Sequence, residues 1–528
     1  MSEHQFVDCL LPKPRKISLL PGKVDLSTRQ CFCADEPFLP VAGLLAARLT
    51  QGTGHHWEVS PFNSGQDAPA IAFRQVPQAH GPEAFTLRID GNGMEISASH
   101  PAGAFYGSQT LLQMLPPAIF AAGPMPEARW EFPHVLIEDW PEFRWRGVML
   151  DSARHFQPSG YLKKFVDVLA QHKINVLHWH LTDDQGWRVE ILKHPQLTAI
   201  GSKRRESPAG HQNARLGGDG VPVEGFYSQD EIRELVAYAG LRNVHLLPEI
   251  EMPGHAQAAV AACPELGCLD APVEVSTQWG VHEVLFNVRP ATIGFLQDVL
   301  AEIAELFPFE YVHVGGDEAV KTQWRHSAET QARMKELGVA NEDALQSWFI
   351  GQMAAFLQSR GKKLIGWDEI LEGGLPASAS VMSWRGEQGA VVAAAKGHDA
   401  VMCSKNAYYF DYAQSGDPLA EPLSIGGFNS LRNVYETSPV PGSLTPEQAA
   451  RILGVQGQLW TEYIPTTSQL EYMAFPRVCA LAEIAWSDPQ SLDFADFLRR
   501  LAVHVRRLDC QGVRYRSGFC SGLPQCSG

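Results

Sequence analysis

From Arg144 onward the chain repeats one rhythm. A short run of β-formers ends in polar or aromatic residues, and a longer stretch with helical periodicity follows. The runs are WRGVMLDSAR (145–154), INVLHWHLTDD (174–184), HLLPEIEMPGH (245–255), YVHVGGDEAV (311–320), KKLIGWDE (362–369), SVMSWRG (380–386), DAVMCSKN (399–406) and GVQGQLWTE (454–462). Helical stretches are expected at 158–172, 228–241, 290–306, 341–360, 388–396 and 468–486. Eight such units match a (β/α)8 barrel, an α/β fold of TIM-barrel type, with inserted loops. An open doubly wound sheet would expect a glycine-rich phosphate loop after an early strand, and none follows one here.

Polar and aromatic side chains gather at one end of these runs. The carboxyl ends carry Arg154, Asp183 with Asp184, Glu249 with Glu251 and His255, Asp317 with Glu318, and Trp367 with Asp368. Trp384 with Arg385, Tyr409 with Asp411, and Trp460 with Glu462 complete the circuit. The amino ends offer Ile, Leu and Val instead. Barrel enzymes build their sites at the carboxyl face, and eight polar clusters in register are hard to produce by chance.

Asp317 and Glu318 form the sharpest of these clusters. Neighbouring side chains on a regular strand point to opposite faces, so the two acids share a site only if the strand ends before them. Gly315 and Gly316 let the backbone turn there. Read alone, the pair could equally cap a following helix; its place in the circuit of strand ends favours acid/base chemistry.

Residues 1–140 read as a separate small α+β domain. ISLLPGKVDLS is strand-like, a helix is expected around Leu44–Leu49, and 84–99 alternate around Gly91-Asn92-Gly93 as a hairpin. GAFYGSQTLLQML (103–115) has helical periodicity, and the Pro/Gly-rich piece 115–141 reads as a connector. The barrel is assigned to 141–490, and 491–528 to a terminal helix and tail. The net charge of −16 and pI near 5.6 argue against nucleic acid and anionic membrane as partners. No apolar run approaches a membrane span or a secretory signal, which points to the cytoplasm, or to the periplasm or outside if a leader was removed. Ten scattered Cys read as reduced thiols, with Cys520 and Cys526 able to bridge under oxidising conditions. A homodimer is compatible with all of this.

Together these motifs resemble the β-N-acetylhexosaminidases of glycoside hydrolase family 20. HVGGDE (313–318) is similar to the family signature, and DSARHF (151–156), NVLHWHLTDDQGWR (175–188), PEIEMPGH (248–255), GWDEI (366–370), SWRG (383–386) and LWTE (459–462) extend the match in order. The resemblance implies that terminal β-linked N-acetylglucosamine or N-acetylgalactosamine is removed from a glycan without a cofactor or metal. It implies Glu318 as general acid, Asp317 as partner of the substrate acetamido N–H, and Tyr409 as donor to the acetamido oxygen. Tyr409 rather than Tyr408 fits because the family pattern places the tyrosine two residues before the acid, Asp411. Trp367, Trp384 and Trp460 would wall the pocket; Arg154, Asp411 and Glu462 would hold the outer hydroxyls; Asp183 and His255 would support Glu318. Most retaining glycosidases use a carboxylate nucleophile, whereas this family is substrate-assisted. Glu318 would then need an apolar, Trp-lined setting to stay protonated until used.

Other readings compete at particular residues. His178 and His180 face the same side of a strand and could suggest a metal-dependent amidohydrolase, but no further ligand set accompanies them; packing or hydrogen bonding is the plainer role. Arg154 could be a structural ion-pair partner, and Glu249 and Glu251 could support the barrel interior. A lacto-N-biosidase-like relative would have fewer hydroxyl clamps, and a silent sugar-binding barrel would lack Asp317, Glu318 or Tyr409.

Overall fold

The computed structural model describes residues 9–26, 31–62, 70–125, 128–269 and 271–520. It opens with a sheet of seven strands: β1 (Lys16–Asp25), β2 (Cys31–Ala34), β3 (Glu58–Pro61), β4 (Ile71–Gln75), β5 (Phe85–Asp90), β6 (Gly93–Ala98) and β7 (Glu131–Asp139), in the order β1-β7-β5-β6-β4-β2-β3. Helices α1 (Leu39–Thr53) and α2 (Pro101–Met114) pack on it. Gly103 lets α2 approach closely, since a Cβ there would collide with the carbonyl oxygen of Ala84. The Asn-Gly hairpin joins β5 and β6 as expected, with Asp90 opposite Gly93. The stretch expected to be only a connector instead contains β7, which lies between β1 and β5. Pro133 masks that strand. It pairs with Lys23, where β1 resumes its register after a bulge, the kind of irregularity that tolerates a missing N–H.

Eight parallel strands then close into a barrel: β8 (Trp145–Asp151), β9 (Val176–His180), β10 (His245–Glu249), β11 (Tyr311–His313), β12 (Lys363–Trp367), β13 (Ser380–Ser383), β14 (Ala400–Met402) and β15 (Ile452–Leu459). The outer helices include α3 (Ser159–Gln171), α4 (Gln229–Gly240), α5 (Pro290–Leu306), α6 (Glu342–Ser359), α7 (Gln388–Ala395) and α8 (Leu431–Glu436). The helix expected over 468–486 is two, α9 (Thr467–Ala474) and α10 (Arg477–Trp486), separated at Pro476, where a missing N–H cannot continue the ladder. Between β12 and β13 there is no α-helix, only a 3₁₀ turn, Asp368–Leu371. Side chains rather than a pore fill the barrel: Trp145, Met149, Val176, Leu247, Ile365, Met382, Val401 and Leu453 lie within, and Trp367, Tyr409 and Trp460 belong to the same cluster at its carboxyl end.

Buried charge ties the two domains together. Arg146 at the barrel floor meets Glu83 at 2.7 Å, and Lys173 meets Asp139 at 2.7 Å, with Trp486 Nε1 also donating to Asp139 at 3.0 Å. A terminal helix, α11 (Phe494–Cys510), lies across the junction. Its Arg507 donates to the carbonyl oxygens of Cys9 and Gln113, and its Arg500 to that of Leu10. The expected pairing of Cys520 with Cys526 cannot be described, because Cys526 lies outside the described residues. Among the described residues no helix is long and apolar enough to cross a membrane.

The same junction buries two facing histidines, His172 Nε2 and His504 Nε2 at 2.8 Å. His172 Nδ1 donates to the Val168 carbonyl, and Arg507 Nη1 donates to His504 Nδ1, so both rings are satisfied as neutral imidazoles. Burial, with Arg507 adding to it, pushes His172 down to about 4, and burial pushes His504 down as well. In the unfolded chain each titrates near 6.5. Stability is therefore fully present above that pH and declines as the pH falls toward 4, because the unfolded chain takes up protons that the folded one refuses. Thermal melts between pH 7 and 4.5 should show this decline, by up to about 1.4 kcal/mol per pH unit and histidine. His172→Gln should have a shallower slope; parallel slopes would remove the pair from the acid response.

Candidate active site

The site is built where the strands stop. After β11 the backbone turns through Gly315 and Gly316 at φ +65° and +93°, and Glu318 itself adopts φ +46°. A Cβ on Gly315 would collide with the Glu251 carboxyl, so only glycine fits. The turn brings both acids to the mouth. Asp317 is 8% exposed and its Oδ1 has no hydrogen-bond partner among the described residues. The Glu318 side chain is 37% exposed. This corrects one expectation: Glu318 stands open at the rim beside His255 rather than enclosed by tryptophans, because the turn that frees it from the strand also carries it outward.

His255, also left-handed at φ +49°, joins the pair to a deeper network. Its Nε2 lies 3.5 Å from Glu318 Oε2 and 3.6 Å from Asp317 Oδ2, while its Nδ1 meets Asp183 Oδ1 at 3.2 Å and Asp184 Oδ2 at 3.0 Å. Burial disfavours its charge, but Asp183 first and then Asp184 and Asp317 hold it well above the usual histidine range, so it is an imidazolium. Asp183 also contacts Arg154 Nη2 at 2.8 Å and His180 Nε2 at 2.9 Å. Against its burial, Arg154 and His255 keep its carboxyl well below the usual range.

Beneath this lies a hub that sequence reading treated only as interior support. Glu249 accepts from Trp367 Nε1 at 2.8 Å and from His180 Nδ1, with His178 Nε2 at 3.1 Å and His313 Nδ1 at 2.7 Å. Burial opposes its ionisation, yet the surrounding histidines hold it well below the carboxylate range. The H-x-H pair is thus divided. Burial pushes His178 down to about 4, whereas Glu249 and Asp183 overcome burial and raise His180 to about 10. Both rings serve Glu249, which fixes the edge of Trp367. Glu251 nearby is different: burial, Asp317 and Glu249 push its carboxyl well above the ordinary range, which leaves it a neutral acid.

The aromatic wall and the outer polar groups complete the pocket. Trp367 and Trp460 lie 5.8 Å apart at 47°, and Trp384 stacks near Tyr409 at 6.1 Å and 24°. Tyr409 shares the mouth with these rings, whereas the Tyr408 hydroxyl is tied to the Thr437 carbonyl at 2.9 Å. Burial and then Asp411 hold the Tyr409 phenol well above its usual range, so it remains a donor. Arg154 meets Asp151 at 3.2 Å and faces Glu462 at 3.9 Å, so it takes part in the ion pairs that its structural reading called for. Asp411 is buried, with Oδ1 lacking a partner among the described residues, and burial followed by Glu462 pushes its carboxyl up.

Sequence reading missed Glu369. The 3₁₀ turn after β12 brings it back to the mouth, where it accepts from Trp384 Nε1 at 2.9 Å, and burial and Asp317 push it up to about 8. Its place in GWDEI was the available signal. Asp368, grouped with the strand-end residues, instead binds Arg385 Nε at 2.6 Å.

The family model for the catalytic domain of glycosyl hydrolase family 20 matches residues 143–489, and that for domain 2 of the family matches 9–140. The chain is 42% identical to a β-hexosaminidase of Porphyromonas gingivalis over 96% of its own length and 64% of that protein's, so it spans under two thirds of that relative. It is 32% identical to a β-N-acetylhexosaminidase of Cellulomonas fimi over 96% of both chains. An exo β-N-acetylglucosaminidase from Vibrio harveyi, solved with N-acetylglucosamine, superposes with a TM-score of 0.84 at 31% identity, covering 97% of this chain and 79% of that one.

Proposed function

The chain belongs to glycoside hydrolase family 20, and on that premise we propose that it is an exo-acting, retaining β-N-acetylhexosaminidase whose nucleophile is the substrate's own acetamido oxygen. One observation carries the reading: Asp317 presents a buried, unpartnered carboxylate oxygen directly beside the exposed acid Glu318. A buried carboxylate without a partner is costly unless a ligand donor completes it, and an amide N–H is such a donor.

In the first step the acetamido oxygen attacks C1 as the glycosidic bond breaks, and Glu318 gives its proton to the departing oxygen. Holding the nucleophile within the substrate supplies a large effective concentration. Asp317 accepts from the amide N–H and offsets the positive charge of the oxazolinium ion; Tyr409 donates to the acetamido oxygen and aims it. The His255 imidazolium, held by Asp183 and Asp184, stabilises the carboxylate that Glu318 becomes. Glu318 then takes a proton from water as that water attacks C1, which restores the acetamide and retains the configuration. Trp367, Trp384 and Trp460 line the methyl and ring, and Arg154, Asp411 and Glu462 bind the outer hydroxyls.

The test is a panel of nitrophenyl glycosides with and without chelator. Hydrolysis of β-GlcNAc and β-GalNAc, none of β-glucose, and no loss with chelator are expected. Robust glucosidase activity would remove substrate assistance. Abolition by chelator, reversed by zinc, would turn attention to the carboxylate and imidazole atoms clustered at His255.

A further inference from the structure

The connection after β9 contains a built arm that neither acid/base chemistry nor the sugar clamps use. A short antiparallel ladder, Lys203–Arg204 with Val223–Glu224, closes its base. Within it Pro208 bridges Gly218, and Asp219 Oδ1 accepts from the backbone of Ser207 and Val221, both at 2.9 Å. These bonds make the segment an ordered hairpin-like projection.

Its base and tip land on the residues beside the outer-hydroxyl clamps. At the base, buried Arg204 donates to the carbonyl oxygen of Arg154 at 2.7 Å and to that of Gln185 at 3.1 Å; Gln185 Oε1 in turn accepts from Arg154 Nε at 2.8 Å. At the tip, the His211 ring stacks on Tyr463 at 5.2 Å and 9°, and Gln212 N–H donates to the Tyr463 hydroxyl at 3.2 Å. His211 Nε2 also reaches the Ile425 carbonyl at 3.4 Å. Tyr463 directly follows Glu462, and Ile425 lies in the loop that begins beyond Asp411. The arm therefore runs from the loop of the first barrel strand to those of the eighth and seventh.

We propose that the arm 203–224 is the wall that closes the pocket at the non-reducing end, with the His211–Tyr463 stack as its clasp, so that one sugar enters and a longer chain cannot thread past. This deepens the exo-hexosaminidase reading and rests on it. Arg154, Asp411 and Glu462, assigned above to the outer hydroxyls, lie on or beside the strand-end loops that the arm bridges, and the proposal puts the arm across the path of any further sugar on those hydroxyls. The chemical class excluded is a glycan substituted on the outer hydroxyls of its N-acetylhexosamine.

The experiment follows the sugars released from nitrophenyl β-chitobioside at early times by mass spectrometry. Wild type should release monosaccharide alone. A variant with residues 206–222 replaced by a Gly-Asn-Gly turn should release intact disaccharide at least about tenfold above the wild-type background. His211→Ala, which leaves the fold of the arm's base in place, should raise KM for nitrophenyl β-GlcNAc with little change in kcat and give some disaccharide. His211→Phe keeps a ring on Tyr463 and should restore monosaccharide-only release; the product is the deciding readout, because a merely loosened fold would slow the reaction without changing which sugar is released. Monosaccharide alone from the shortened arm and from His211→Ala overturns the wall, as does a wild-type profile for His211→Ala if the shortened variant does not fold. Failure of the wild type on nitrophenyl β-GlcNAc overturns instead the reading on which it rests.

Discussion

Glu318→Gln should lower turnover by roughly 10²–10⁴-fold on a disaccharide, whose leaving alkoxide needs a proton. On an activated aryl glycoside, whose phenolate leaves unaided, the first step should lose about tenfold or less. The replacement keeps the size of a side chain that stands at the rim with φ +46°, so the backbone turn is preserved and the effect reports the proton. His255 Nε2, 3.5 Å from Glu318 in the parent, would face a neutral amide and lose the carboxylate it is placed to stabilise. Exogenous azide should partly restore the aryl reaction by attacking the oxazolinium without a general base. Equal losses on both substrate types, measured as initial rates, would mean that Glu318 is not the acid.

Much of this architecture was legible because a barrel strand has little freedom. Its residues are enclosed, so strands read as short apolar runs, and the polar residues it tolerates collect where it ends. That is why the sequence alone gathers Arg154, Asp183, His255, Asp317, Trp367, Trp460 and Glu462 at one face. The adjacent tyrosines differ for the same reason. A one-residue step reverses the side chain's direction, which leaves Tyr408 on the Thr437 carbonyl and Tyr409 beside Trp384.

What stayed hidden depends on partners distant in sequence. β7 was obscured because Pro133 argues against a strand, and only a bulge in β1 more than a hundred residues earlier accommodates it. Glu369 is not singled out by its sequence setting, and only the 3₁₀ turn brings it to Trp384. The Glu249 hub needs histidines from β9 and β11 together with Trp367 from β12; the residue types were visible, but their convergence was not. The exposure of Glu318 was misjudged because the motif fixes the turn but not how far it carries the second acid outward.

Asp317→Asn separates substrate assistance from an ordinary carboxylate nucleophile. The amide keeps the size of the side chain and retains an oxygen that can accept from the acetamido N–H, but it removes the charge that stabilises the oxazolinium. The expected loss in kcat is roughly 10²–10⁴-fold, the scale of deleting one preorganised electrostatic group. KM should change less, because the charge matters mainly in the transition state. The surrounding charges sharpen this expectation: Asp317 opposes ionisation of both Glu251 and Glu369, so its neutralisation should let both acids ionise at lower pH. If Asp317 were instead a covalent nucleophile, a 2-fluoro sugar with a good leaving group would label it in the wild type. Substrate assistance predicts no adduct, and tight competitive inhibition by a thiazoline mimic of the cyclic intermediate. A mass increase on the peptide containing Asp317 after fluoro-sugar treatment, with weak thiazoline binding, would overturn the mechanism while leaving the barrel and its family untouched.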